Sequence, residues 1–265
     1  MEVSVVSSQG RRSAILQILK ENSNVSVSEL SKMFGVSEVT IRKDLNLLKE
    51  RNLLIRTRGG AIVNTTGPQE DERSIRYKRL ANYREKQAIG RAAADLIEDG
   101  DTIIIDSGTT ALQVACNLHK FQRLTVLTNA LNVAQEVLSY NRFNVILLGG
   151  NIRNSSESVV GALAESNLKM FYCDKLFLGV DSFSVENGLS TPSVEEANIN
   201  QIMIQRSRKV IAVFDSSKVN KRALAFITTL DNIDAIVTDE GMEKTTRSQL
   251  KAMNIDVVTV KPDRI

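Results

Sequence analysis

The chain has 265 residues, of which 42% are hydrophobic and 25% charged, and a net charge of +3. That composition is ordinary for a globular protein and suits a small domain joined to a larger one. No apolar run approaches the length needed to span a membrane, and residues 1–12 lack the apolar core and cleavage site of a signal peptide. Cys116 and Cys173 are far apart and form no metal-ligand pattern. The expectation is a cytoplasmic protein with reduced thiols, no membrane partner, no metal site and no cofactor.

Charge is unevenly distributed. Residues 1–63 carry ten Lys and Arg against six Asp and Glu, an excess of four, so the remainder holds one net negative charge. A small basic head on a near-neutral body points to a polyanion binder at the N-terminus. Residues 12–21 place Ile15, Leu16, Ile18 and Leu19 at helical spacing. Ser26-Val27-Ser28-Glu29 is a capping box opening a second helix, with Leu30 and Met33 inward and Gly35 closing it. A tight turn follows, and residues 37–51 read as a third, amphipathic helix with Ser37 at its N-cap and Asn52 at its end. Ile41, Leu45 and Leu48 form its apolar stripe, with Ser37 one turn earlier near the same line. Thr40, Arg42, Lys43 and Asn46 fall outside that stripe and are donor-rich, as base edges and phosphates require. Two helices joined through a Gly turn make a helix-turn-helix, and residues 53–63 read as two short strands around a turn. Such a wing puts Arg56 and Arg58 where a backbone phosphate or minor groove would lie. The expected partner is double-stranded DNA; a protein-binding adaptor is the competing reading of the same head.

Residues 11–63 resemble the DNA-binding domain of the DeoR family of bacterial transcriptional regulators. The resemblance runs through Val27-Ser28-Glu29-Leu30, Val36-Ser37, Thr40-Ile41-Arg42-Lys43-Asp44-Leu45, Leu48, and Arg56 to Gly59-Gly60-Ala61. The family usually has a second Arg where Lys43 stands and a His where Arg58 stands; both changes keep or add positive charge.

Residues 64–72 are polar with Gly and Pro and read as a linker, while 73–84 are charge-rich and fit helix or extended chain equally. The domains expected are a winged helix-turn-helix over 1–63, a linker over 64–84 and a larger body over 85–265. In the body a helix over 85–97 precedes strand candidates at 102–106, 124–128, 145–148, 175–180, 210–214, 235–238 and 257–260. Helices are expected near 110–118, 130–139, 162–170, 194–208 and 244–253. This alternation predicts an α/β fold with a doubly wound, mostly parallel sheet, which binds ligands beyond the carboxyl ends of its strands.

Five polar strand ends fall on that edge. Asp106-Ser107-Gly108-Thr109-Thr110 runs from strand to helix and suits a phosphate, although the Gly-Lys-Ser/Thr ending of a Walker loop is absent. The others are Thr128-Asn129; Gly149-Gly150 followed by Ser156-Glu157-Ser158 and Gly161; Gly179-Val180-Asp181 with Gly188-Leu189-Ser190-Thr191 behind it; and Asp215-Ser216-Ser217-Lys218. Together they predict a shared pocket for an anion and a polyol.

The body is similar to the sugar-phosphate sensor domain of the same family, which resembles ribose-5-phosphate isomerase in fold. That resemblance implies that Ser107, Gly108, Thr109 and Thr110 hold a phosphate, with Asp106, Asn129, Asp181, Glu195 and Lys218 on the sugar. Residues 178–181, 195–197 and 215–218 look most like regulators of amino-sugar and galactosamine use. The implied protein is a repressor, dimeric or tetrameric, with a phosphorylated sugar as effector. A sugar-phosphate isomerase or deaminase with a DNA-binding head is the alternative. It would need Asp181, Glu195 and Lys218 as acid and base. The second acid that the isomerases carry after the loop Asp is missing from Ser182-Phe183-Ser184, and the lone His119 reads as a surface or core residue.

Overall fold

A computed structural model describes residues 8–22, 24–50, 54–57, 59–63 and 75–262. Arg58, Asn52 and most of the expected linker lie outside them. The chain divides into two compact units, Met1–Arg73 and Ser74–Ile265.

In the first unit, α1 (Ser8–Asn22), β1 (Asn24–Ser26), α2 (Val27–Phe34) and α3 (Glu38–Glu50) precede a hairpin of β2 (Leu54–Thr57) and β3 (Gly60–Val63). The capping box at Ser26 and Glu29 is present, and Gly35 ends α2 in the left-handed conformation. Ile15, Leu19, Leu30, Ile41, Leu45 and Leu54 are fully or almost fully buried in one small core. Burying each contributes roughly 1.5–3 kcal/mol. Met33, expected inward, is 62% exposed, and Ser37 is also exposed, its hydroxyl accepting from the Thr40 N–H at 3.3 Å. The core face of α2 is supplied by Val27 and Leu30 instead.

Two features lock this unit. Asp44 is 4% exposed and accepts from Arg11 Nε at 2.7 Å, tying α3 to α1, with Arg12 at 3.9 Å. The strand β1, which the sequence pattern did not reveal, pairs with β3 so closely that a Cβ on Gly60 would lie 2.1 Å from the Val25 carbonyl oxygen. Glycine is therefore required there.

The second unit begins with α4 (Ile75–Leu80), so residues from 74 onward, expected as linker, belong to the body. In chain order follow α5 (Tyr83–Ala94), β4 (Thr102–Ile105), α6 (Thr109–Ala115), β5 (Thr125–Thr128), α7 (Leu131–Leu138) and β6 (Asn144–Leu147). A hairpin of β7 (Asn151–Arg153) and β8 (Ser158–Val160) leads to α8 (Ala162–Leu168) and β9 (Cys173–Gly179). Then come β10 (Ser182–Ser184), β11 (Gly188–Thr191), α9 (Val194–Gln205), β12 (Ser207–Val213), β13 (Ala225–Thr228), β14 (Ala235–Asp239), α10 (Lys244–Ala252) and β15 (Asp256–Val260).

All seven expected strands join one sheet in the order β15-β14-β12-β9-β4-β5-β6, every pair parallel. Alternate residues face opposite cores. Ile104, Leu176 and Ala212 pack with α8, α9 and α10, whereas Ile103, Phe177 and Val213 pack with α5, α6 and α7. From β4 the chain steps outward to β5 and β6, then returns to β9 on the other side of β4. That reversal opens a crevice between the carboxyl ends of β4 and β9. The antiparallel β10-β11-β13 sheet and the β7-β8 hairpin lie outside the seven expected strands. Helix α9 stops at Gln205, three residues short of expectation, because Ser207 already pairs with Cys173 in the sheet.

Removing one partner of a buried pair leaves an uncompensated charge. Asp44→Ala therefore destabilises the head by about 3–5 kcal/mol, seen in circular dichroism as an earlier unfolding transition. An unshifted transition would show that the Arg11 pair carries no weight.

Candidate functional site

On the head, α3 turns Arg42, Lys43 and Asn46 to solvent, opposite the buried Ile41, Leu45 and Leu48. Thr40 is half-buried at the start of the helix, its hydroxyl 3.0 Å from that of Ser37. Arg42 pairs with Glu38 one turn back at 2.6 Å, both well exposed, so the pair is weak and easily exchanged. Arg56 departs from expectation. Its Nη1 donates to the Arg42 carbonyl and to Asn46 Oδ1, both at 3.2 Å. It braces the wing strand against α3 rather than reaching outward, and it occupies part of Asn46.

On the body, the crevice between β4 and β9 gathers several of the expected residues. Asp106 is 3% exposed, and its Oδ2 accepts from the Gly179 N–H at 3.2 Å across the crevice. Burial pushes its carboxyl up to about 8, with the Glu196 charge adding to that and hydrogen bonds from Ser107, Asn200 and Gly179 opposing it. At neutral pH Asp106 is thus a protonated acid that can donate. Gly179 itself is a packing residue, since a Cβ there would lie 2.6 Å from the Ser107 carbonyl oxygen. Ser107 to Thr110 form the turn into α6, with Gly108 at φ 115 and the Thr109 hydroxyl donating to the Lys78 carbonyl at 3.4 Å.

Asp181 is the hub. Its Oδ1 takes Lys78 Nζ at 2.7 Å and Lys218 Nζ at 3.7 Å, while its Oδ2 accepts from the Thr191 hydroxyl at 3.4 Å. Burial would raise its pKa, but the two ammonium groups and the bonds from Lys78 and Thr191 outweigh burial and hold it below the usual carboxylate value. Burial lowers Lys218, with Asp181 opposing. From Thr191 the chain of bonds continues to Glu196 Oε2 at 3.3 Å, then from Glu196 Oε1 to Ser158 at 3.4 Å and on to Ser156 at 2.8 Å. Asn129 is fully buried, donates to the Val159 carbonyl at 3.4 Å, and leaves its Oδ1 without a hydrogen-bond partner.

Three expected residues fall elsewhere. Glu195 is exposed, and the next residue, Glu196, faces the site; on α9 the buried side also holds Ala197 and Asn200. Gly149 and Gly150 are exposed and serve the entry to the hairpin, the Gly149 N–H donating to Asn167 Oδ1 at 3.3 Å. His119 lies on the surface.

Sequence reasoning missed Lys78, Asn82, Lys86 and Asn200, and it marked the stretches holding Thr191 and Glu196 without giving either residue a contact. Asn82 donates to Asp215 Oδ1 at 2.8 Å, and the buried Lys86 lies 4.0 Å from its Oδ2. Lys86 had a visible signal, since it stands one turn before Ile89 on the apolar side of α5. Burial lowers it to about 8, with Asp215 opposing. Among the described residues no cluster of His, Cys, Asp or Glu could hold a metal ion, and no helix is long and apolar enough to cross a membrane.

Comparison with known proteins bears on both units. The DeoR-like helix-turn-helix domain matches residues 11–67, and the DeoR C terminal sensor domain matches residues 81–240. The molecule is a DNA-binding transcriptional regulator with a separate sensor domain. It belongs to the DeoR family. A candidate aga operon transcriptional repressor of Escherichia coli O157:H7 is 35% identical over 98% of this chain and 96% of its own. The transcriptional repressor AccR of Agrobacterium fabrum is 35% identical over 89% of this chain and 91% of its own. The regulator GolR of Listeria innocua is 33% identical over 88% and 91%. Ribose 5-phosphate isomerase A of Methanocaldococcus jannaschii aligns with 54% of this chain and 56% of its own, at 15% identity and a TM-score of 0.40.

A carboxyl that stays protonated to about pH 8 when folded, but only to about 4 when unfolded, binds an extra proton on folding between those values. Its contribution to stability is complete below about pH 4 and is lost as pH rises toward 8, at up to about 1.4 kcal/mol per pH unit. Asp106→Asn flattens that decline, so the variant gains on wild type as pH rises through the window in thermal melts. Parallel melting curves for the two proteins would remove the buried-acid assignment.

Proposed function

We propose that this protein is a cytoplasmic repressor of sugar or amino-sugar catabolic genes, released from DNA by a phosphorylated sugar bound at the carboxyl edge of its sheet. The observation that carries the reading is the convergence at one crevice of the Ser107–Thr110 turn, the buried Asp106, and a carboxylate shared by two ammonium groups. Hydroxyls and backbone N–H groups of the turn suit a phosphate. Asp106, Asn129, Asp181 and Glu196 suit sugar hydroxyls, Asn129 offering a buried acceptor without a protein donor. The naming of one relative for the aga operon supports the amino-sugar class.

Binding without catalysis is the reading favoured by the charges. An aldose–ketose isomerase needs both an acid and a base beside the substrate, and Asp106, pushed up to about 8, fills only the acid's place. Asp181 is held by two lysines below the ordinary carboxylate value, a poor base. Glu195 is exposed, and Ser182–Ser184 form a strand with no acid in it. No metal or cofactor is invoked.

On DNA, α3 enters the major groove. Arg42 exchanges Glu38 for a base edge, Thr40 assists it, and Lys43 and Arg58 hold phosphates. Two or more subunits bind repeated half-sites, with two-fold pairing setting their spacing.

Fluorescence anisotropy on the protein's own upstream DNA, with and without hexose and amino-sugar phosphates, tests this directly. One phosphosugar releases the DNA and is recovered unchanged; its conversion to product would overturn the non-enzymatic reading. Arg42→Ala relaxes sequence preference, losing about 1–3 kcal/mol at the base it reads; unchanged specificity would move the reading face elsewhere. Thr109→Glu, which puts negative charge at the phosphate position, abolishes the sugar response and spares DNA binding; a retained response would displace the phosphate from this turn.

A further inference from the structure

The outward face of α3 carries one side chain that neither charge nor hydrogen bonding explains. Val39 is the second residue of the helix and is 59% exposed. At 3.6 residues per turn it stands about 160° round the axis from Ile41 and about 180° from Leu48, on the side away from the core. Arg42, Lys43 and Asn46 follow it at the spacing that puts all four on one face, and all four are exposed. The small core of the head closes through Ile15, Leu19, Leu30, Ile41, Leu45 and Leu54 without it. Helix propensity gives no reason for it either, since β-branched valine is a poorer helix former than alanine, lysine or glutamate. Its polar neighbours already hold partners, Arg42 with Glu38 at 2.6 Å and Asn46 with Arg56 Nη1 at 3.2 Å. Val39 offers the face a hydrocarbon surface at its N-terminal end.

We propose that Val39 is a specificity-determining residue that packs against the 5-methyl group of a thymine in each half-site. This rests on the placement of α3 in the major groove given above. The first residues of a helix lying in that groove are the ones that meet base edges. Thymine alone among the bases presents a methyl group there, whereas the other edges present only N–H donors and N or O acceptors. A valine pressed against a cytosine amino group or a guanine oxygen strips water from it and gives no hydrogen bond in return. Against a thymine methyl, both partners lose exposed apolar surface, which is favourable. Val39 thus selects twice, by gain on thymine and by loss on the alternatives. Its place on the same face as Arg42 also sets register, with the thymine beside the base that Arg42 reads.

The test uses the full-length protein and its upstream DNA, with the bound site located by footprinting. Each thymine of one half-site is replaced in turn by deoxyuridine, which keeps every hydrogen-bonding group and loses only the methyl. Wild type, Val39→Ala and Arg42→Ala are titrated on this set by anisotropy, with thermal melts and size-exclusion chromatography on each. Alanine suits an exposed helical position better than valine, so Val39→Ala keeps its fold. Wild type is expected to lose roughly 3- to 5-fold at one uracil position, the worth of one buried methyl. Val39→Ala loses a similar factor on the natural site and is indifferent to uracil at that position, yet still responds to changes at the base that Arg42 reads. No uracil effect in wild type, or the same effect in Val39→Ala, would overturn the assignment; lost specificity in Arg42→Ala would then leave the placement of α3 standing. A changed oligomeric size in Val39→Ala with the uracil response retained would make Val39 a subunit contact instead. If neither variant altered sequence preference, α3 would not be the reading helix, and this assignment would fall with it.

Discussion

Seven parallel strands covered by helices on both faces confine most of the body's polar chemistry to the strand ends. A parallel strand buried on both sides must be apolar along its length, so its polar residues collect at the ends. Because every strand runs the same way, the carboxyl ends share one edge, and the reversal of strand order between β4 and β9 parts that edge into a crevice. Asp106 and Gly179 face each other across that gap. The electrostatics follow from the same constraint. Depth in the crevice keeps Asp106 protonated, while Asp181 stays ionised because two lysines converge on it. Two carboxyls with opposite states, set by surroundings rather than by residue type, give the edge both a donor and an acceptor for a hydroxylated ligand.

The head solves a different problem. It is too small for a deep core, so a handful of fully buried side chains is supplemented by the Arg11–Asp44 pair and by the close approach of β1 to Gly60. These inward commitments leave the outer side of α3 outside the core, which is why Arg42 and Lys43 are exposed. Arg56 shows how the wing is set. Its bonds to the Arg42 carbonyl and to Asn46 tie the strand to α3, so a charge that the sequence offers as a phosphate contact is turned back on its own domain.

Much of this was legible in the chain because the signals are local. Alternating apolar runs and helical stripes located all seven sheet strands, since burial on both faces leaves a continuous apolar trace. The capping box and Gly35 marked α2 to the residue, because caps are made by neighbours in sequence. The hairpin β7-β8 and the β10-β11-β13 sheet left no such trace. Their strands are three or four residues long, too short for a period to show along the chain.

By itself, then, the sequence determined the kind of protein: a basic helix-turn-helix head, a two-faced parallel sheet, and polar strand ends fit for an anion and a polyol. Tertiary structure alone decided which polar groups meet. Glu196 rather than Glu195 faces the site because the rotation of α9 on the sheet selects one of two adjacent carboxylates. Lys78 lies more than a hundred residues from Asp181 in a stretch whose charge pattern fits helix or extended chain equally, and only the packing of α4 over the crevice joins them. Periodicity is a property of a segment and can be read along the chain; an ion pair between distant segments is a property of the fold.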